Sequence, residues 1–123
     1  MRSQVRMKAA AVYVASLGAV AALAYNQGRR AAPAGETVRL ENERVRVVEY
    51  VLQPGVPMGA HGHPRDRVEI TLAGSRVRVT AGGRSSETEE KEGSITWSKG
   101  SSEVHDVVNI GKTPLRALHV ELK

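Results

Sequence analysis

A chain of 123 residues with a formal charge of +5, no cysteine, no phenylalanine and 3% aromatic residues has room for one domain. The missing cysteines exclude disulfides, thiol catalysis, zinc–thiolate sites and iron–sulfur clusters. Its cations are not interleaved with aromatic residues, so the basic balance makes no case for nucleic-acid binding.

The first 24 residues are of a different kind from the rest. Arg2, Arg6 and Lys8 stand ahead of an alanine-rich apolar run that ends in Ala22-Leu23-Ala24. A basic head, a short apolar middle and a small-x-small ending are the marks of a signal peptide cleaved before Tyr25. The rival reading is a retained N-terminal anchor, which needs about 20 apolar residues and is poorly served by this shorter run. Either way the remainder is expected outside the cytoplasm, periplasmic or secreted, with membrane contact only if the leader is kept. Three of the cations belong to the leader, so the exported part is close to charge balance. Residues 25–36, with Gly28, Arg29, Arg30, Pro33 and Gly35, read as a flexible linker. Residues 37–123 then form the domain.

Within it helical periodicity is absent and strands dominate. Residues 44–52 alternate and are rich in β-branched side chains, and Pro54-Gly55 stops them. Residues 68–72 and 76–80 follow, with Ala73-Gly74 between. Ala81-Gly82-Gly83-Arg84 is a hairpin turn into a polar strand. The acidic run 87–92 reads as a solvated edge strand facing Arg76 and Arg78. Residues 94–97, 104–110 and 115–122 complete the set. Short strands with no helix between them predict an all-β sandwich or barrel.

Three of the four histidines fall into two segments. His61 and His63 are one residue apart, so on an extended strand both leave the same face, roughly 6.6 Å apart along the chain. His105, from another strand, could complete a triangle around one cation. By parity Val107 and Asn109 share the face of His105, and Asn109 reads as the cap of a turn at Gly111, while Asp106 faces solvent. His119, between Leu118 and Val120, reads as a surface or interface histidine. Trp97, the sole tryptophan, is expected in the core or as a wall against which a planar ligand stacks.

Gly55, His61, His63 and Gly74, answered by Gly93, His105 and Asn109, resemble the two motifs of the cupins. The resemblance runs from Thr37 to Lys123. It implies a double-stranded β-helix, or jelly-roll barrel, a mononuclear centre on His61, His63 and His105, and a homodimer formed through the sheets. Two positions depart from the family pattern. Arg67 stands where the metal-binding glutamate is usual, and Lys99-Gly100-Ser101 stands where Pro-x-Gly is usual. A guanidinium cannot ligate a metal. Glu69, on the same strand face, could supply the oxygen instead, whereas Asp66 would need a bulge. The expected ion is a divalent transition metal: iron, manganese, nickel or zinc. Arg67 has two readings, an ion pair with Glu69 or Asp66, or a fork that grips a carboxylate or phosphate in the lumen. The chain is therefore read as an exported cupin with a metal site and an unassigned reaction. The alternative is a metal-free cupin that binds a small, anionic ligand through Arg67 and Trp97 without turnover.

Overall fold

Nine strands and no helix make up the described residues, 34–123, of this computed structural model. The leader and residues 25–33 of the linker lie outside the described residues. The strands are β1 Glu36–Glu41, β2 Val45–Leu52, β3 His61–Gly62, β4 Arg67–Ala73, β5 Ser75–Ala81, β6 Arg84–Glu90, β7 Ile95–Ser98, β8 Val104–Asn109 and β9 Leu115–Leu122. They form a five-stranded sheet ordered β1-β2-β9-β4-β7 and a four-stranded sheet ordered β3-β8-β5-β6. All named pairings are antiparallel, and neighbours in the sheets are mostly distant in sequence. This is the jelly-roll arrangement.

The residue patterns explain which faces turn inward. Val48, Tyr50 and Leu52 of β2 are all buried, with Arg46 at the head of the same face. They join Met58, Val77 and Leu115 in one apolar cluster, against which Val79 and Val107 pack. Gly82 and Gly83 both have positive φ, +55° and +75°, which an Ala-Gly-Gly-Arg hairpin turn requires and which other residues resist. The acidic β6 forms the edge of the smaller sheet. There Glu87 pairs with Arg76 at 2.8 Å and Arg78 at 3.0 Å, as its charge pattern predicts.

The larger sheet is apolar on its outer face as well. Trp97 pairs with Val68, Val68 with Val120, and Val120 with Val47, in one row across four strands. Trp97 is 57% exposed there, so its expected place in the core is not where the chain puts it. The reason is that β7 is a short edge strand, leaving the indole one neighbour strand instead of two. On the same face Glu49 is held between Arg39 and Arg116. Hydrogen bonds from Arg116 and Arg39 keep its carboxyl below the usual range. Arg46 is fixed on the inner side by Glu36 at 2.6 Å and Glu121 at 3.2 Å.

Candidate metal centre

β3 and β8 pair so that His61 lies directly opposite His105. His63 follows β3 by one residue, and its carbonyl accepts a hydrogen bond from Ser101 N at 2.9 Å. The three imidazoles meet with ring centroids 4.7 Å (His61–His105), 5.0 Å (His61–His63) and 5.2 Å (His63–His105) apart. One nitrogen from each lies within 4.8 Å of the others. Two ligands across an ion, each at about 2.1 Å, stand at most about 4.2 Å apart, so small ring rotations close the set.

A hydrogen bond decides the tautomer of His61. Its Nδ1 lies 2.8 Å from the Gly59 carbonyl, which can only accept, so Nδ1 carries the proton and Nε2 presents a lone pair. Gly59 is itself anchored, because its N donates to Asp106 Oδ1 at 3.0 Å. Asp106, expected to face solvent, is therefore half-buried and supports the loop that orients His61. Asp66 is likewise engaged, accepting from Gly100 N at 2.7 Å. Burial, and then the cationic Arg67, pushes His63 down to about 2. His105 is also lowered, by burial first and then by His61. Both rings are thus neutral at physiological pH, the form that binds a cation.

Arg67 and Glu69 share the inner face of β4. Arg67 Nη2 pairs with Glu69 Oε1 at 2.6 Å, with side-chain exposures of 11% and 28%. The expected ion pair with Glu69 therefore forms inside the barrel and not at its surface, because both residues line the interior chamber. Arg67 Nε is buried without a hydrogen-bond partner. Glu69 would have to leave Arg67 before it could ligate an ion.

His119 is a further residue that sequence reasoning misplaced. β9 runs between β2 and β4, with His119 opposite Val48 on one side and Glu69 on the other. Its ring faces the interior, 4.6 Å from Tyr50 and 5.4 Å from His63, and burial pushes it down to about 4. Its Nδ1 is buried without a partner. Leu118 and Val120 point to the outer face of the larger sheet, which is apolar too, so apolar neighbours gave no guide to which side was in. A signal existed in the facing glutamate of β4, but only the register reveals it.

Two cavities meet at the imidazoles. A chamber of about 160 Å³ runs into the barrel and is lined by Tyr50, Leu52, Met58, Val77 and Leu115 together with Glu69, Glu90 and His119. A second cavity of about 290 Å³ is lined by Ser98, Lys99, Ser101 and Glu103. His63, His105 and Arg67 line both. Trp97 is among the lining residues of neither.

Solved structures place this arrangement. A cupin domain from Bordetella pertussis Tohama I is 26% identical, with a TM-score of 0.68 over 78% of this chain and 99% of that one. A conserved protein with a double-stranded β-helix domain from Klebsiella pneumoniae is 22% identical, with a TM-score of 0.57 over 76% and 79% of the two chains. An RmlC-like cupin family protein from Methanocaldococcus jannaschii is 22% identical, with a TM-score of 0.55 over 76% and 84%. No family model and no curated protein matches the chain. Its two-sheet barrel, the paired His-x-His and His-x3-Asn segments and these neighbours agree: the chain is a small cupin-domain protein.

Proposed function

We propose that this is an exported cupin whose His61, His63 and His105 hold one divalent transition metal. The observation that carries the reading is the convergence of three imidazoles from two paired segments, with His61 locked in the tautomer that turns Nε2 away from its backbone anchor. The donor set fits the group. Neutral imidazoles suit iron, manganese, nickel or zinc, and the protein leaves the remaining coordination positions to water or ligand. Glu69, on the same strand face two residues beyond the family's usual oxygen position, is paired with Arg67. The bound ion would act as a Lewis acid on an oxygen-bearing ligand or on water. The leader supports a periplasmic or secreted location.

The test is elemental analysis of the full chain, purified without a histidine tag. The expected result is near-stoichiometric iron, manganese, nickel or zinc, absent from a His61→Ala/His63→Ala variant. A wild-type chain that stays metal-free after incubation with each ion in turn overturns the proposal.

A further inference from the structure

Two of the positions at which this chain departs from the cupin pattern, Arg67 and Lys99, line the same cavity. They come from different segments, one on β4 and one in the loop after β7. Each brings a cation to a place where the family pattern has an acid or a proline. The loop is built to hold its position. Gly100 N donates to Asp66, Ser101 N donates to the His63 carbonyl, and a side chain at Gly100 would overlap the backbone of Pro64 and Arg65. Ser98 stands opposite Arg67 in the β4–β7 register. The cavity thus presents a guanidinium, an ammonium and two serine side chains beside His63 and His105, with Glu103 as its one acid.

We propose that this vestibule is an anion site for a small 2-oxo or 2-hydroxy acid. Its carboxylate lies against Arg67 and Lys99, and its second oxygen points to the ion position among the imidazoles. The inference deepens the metal-centre reading and rests on it for that second oxygen. The carboxylate contact itself needs no ion. Three features favour this ligand class. Arg67 gives Nη2 to Glu69 and has Nε buried, which leaves Nη1 to donate to a carboxylate. Glu69 and Glu90 line the barrel chamber, so an anion is repelled from that side and held in the vestibule. The vestibule is lined by charged, hydroxyl and imidazole side chains and by no aliphatic one, which suits a short oxygen-rich acid over a hydrocarbon chain.

The experiment titrates pyruvate and its neutral counterpart pyruvamide into the full chain by calorimetry, before and after loading with nickel. Pyruvate is expected to bind at least about tenfold more tightly than pyruvamide, with a preference that shrinks at high salt. Lys99→Gln, a change at an exposed side chain, is expected to weaken pyruvate by about three- to fivefold and to leave pyruvamide and metal content unchanged. Equal binding of acid and amide, or a Lys99→Gln variant indistinguishable from wild type, overturns the anion site. The two readings fail separately. A chain that takes up no metal yet selects pyruvate through Lys99 keeps the anion site and loses the centre. A metal-loaded chain indifferent to charge does the reverse.

Discussion

Asn109 and the histidine triad lie on the same barrel interior, yet the protein treats their polar atoms in opposite ways. Asn109 is 0% exposed and fully satisfied. Its Nδ2 donates to the Leu52 and Thr113 carbonyls at 2.9 and 2.8 Å, and its Oδ1 accepts from Ser75 Oγ at 2.8 Å and Gly111 N at 2.9 Å. At the triad, among the described residues, one ring nitrogen, His61 Nδ1, has a protein partner. Nearby, Arg67 Nε and His119 Nδ1 are buried with none. A buried polar group without a partner costs about 1–3 kcal/mol, so a small domain keeps several in one place only where something else can meet them. The difference separates a polar residue that builds the fold from polar residues whose nitrogens are left open, as the proposed centre requires.

The largest expected effect comes from breaking the satisfied end. Asn109→Ala removes four hydrogen bonds and strands their partners, at a cost on the order of 4 kcal/mol. Chemical denaturation should show a midpoint shift of that size, or a chain unfolded at 25 °C, given the marginal stability of a domain this small. A loss below about 1 kcal/mol would mean that the network is incidental. Breaking the other end should act on affinity and spare the fold. Any single histidine of the triad changed to Ala is expected to lower metal affinity by about 100-fold or more, while stability without metal changes little. A triad variant that unfolds as readily as Asn109→Ala would make the histidines structural and erase the contrast.

This division was partly legible in the residues alone. The period-2 rule placed His61 and His63 on one face, and they meet 5.0 Å apart. The Asn109 cap was legible because a turn glycine follows it by two residues, and Gly111 N does bond Asn109 Oδ1. His119 and Asp106 were not legible. The reading of His119 used apolar alternation to tell inside from outside, which works only when one face of a sheet meets water. Here the row from Trp97 to Val47 makes the outer face of the larger sheet apolar too, so alternation lost its sign. Asp106 was missed for another reason. Its partner, Gly59, lies 47 positions away in a loop that no local pattern predicts.

A smaller effect follows from holding the histidines neutral. His63, His105 and His119 all titrate below the ordinary value in the folded chain, chiefly through burial. Unfolded histidines take up protons below about pH 6.5, while the folded ones resist until lower pH. The unfolded state therefore binds more protons in that window, and stability falls as pH drops from about 6.5 toward about 4 for His119 and about 2 for His63. Each group contributes at most about 1.4 kcal/mol per pH unit. Glu49 and Glu87, lowered by their arginine partners, steepen the fall below the usual carboxylate range, and Glu90, raised by burial, opposes it. Replacing His119 with Gln should flatten the pH 4–6.5 limb measurably, which a surface histidine would not do.

The smallest effect is expected at a large side chain outside both regions. Trp97 is 57% exposed and lines neither cavity, so Trp97→Ser should cost under about 1 kcal/mol, far less than the 3–5 kcal/mol of a buried tryptophan. Pyruvate and metal affinity should be unchanged, and that is the sharper part of the test. A loss of ligand affinity in Trp97→Ser would bring β7 into the site and shift the binding surface from the cationic vestibule toward the edge of the larger sheet. An unchanged affinity, set beside the loss expected for Lys99→Gln two residues further on, would place the boundary of the site between Trp97 and Lys99.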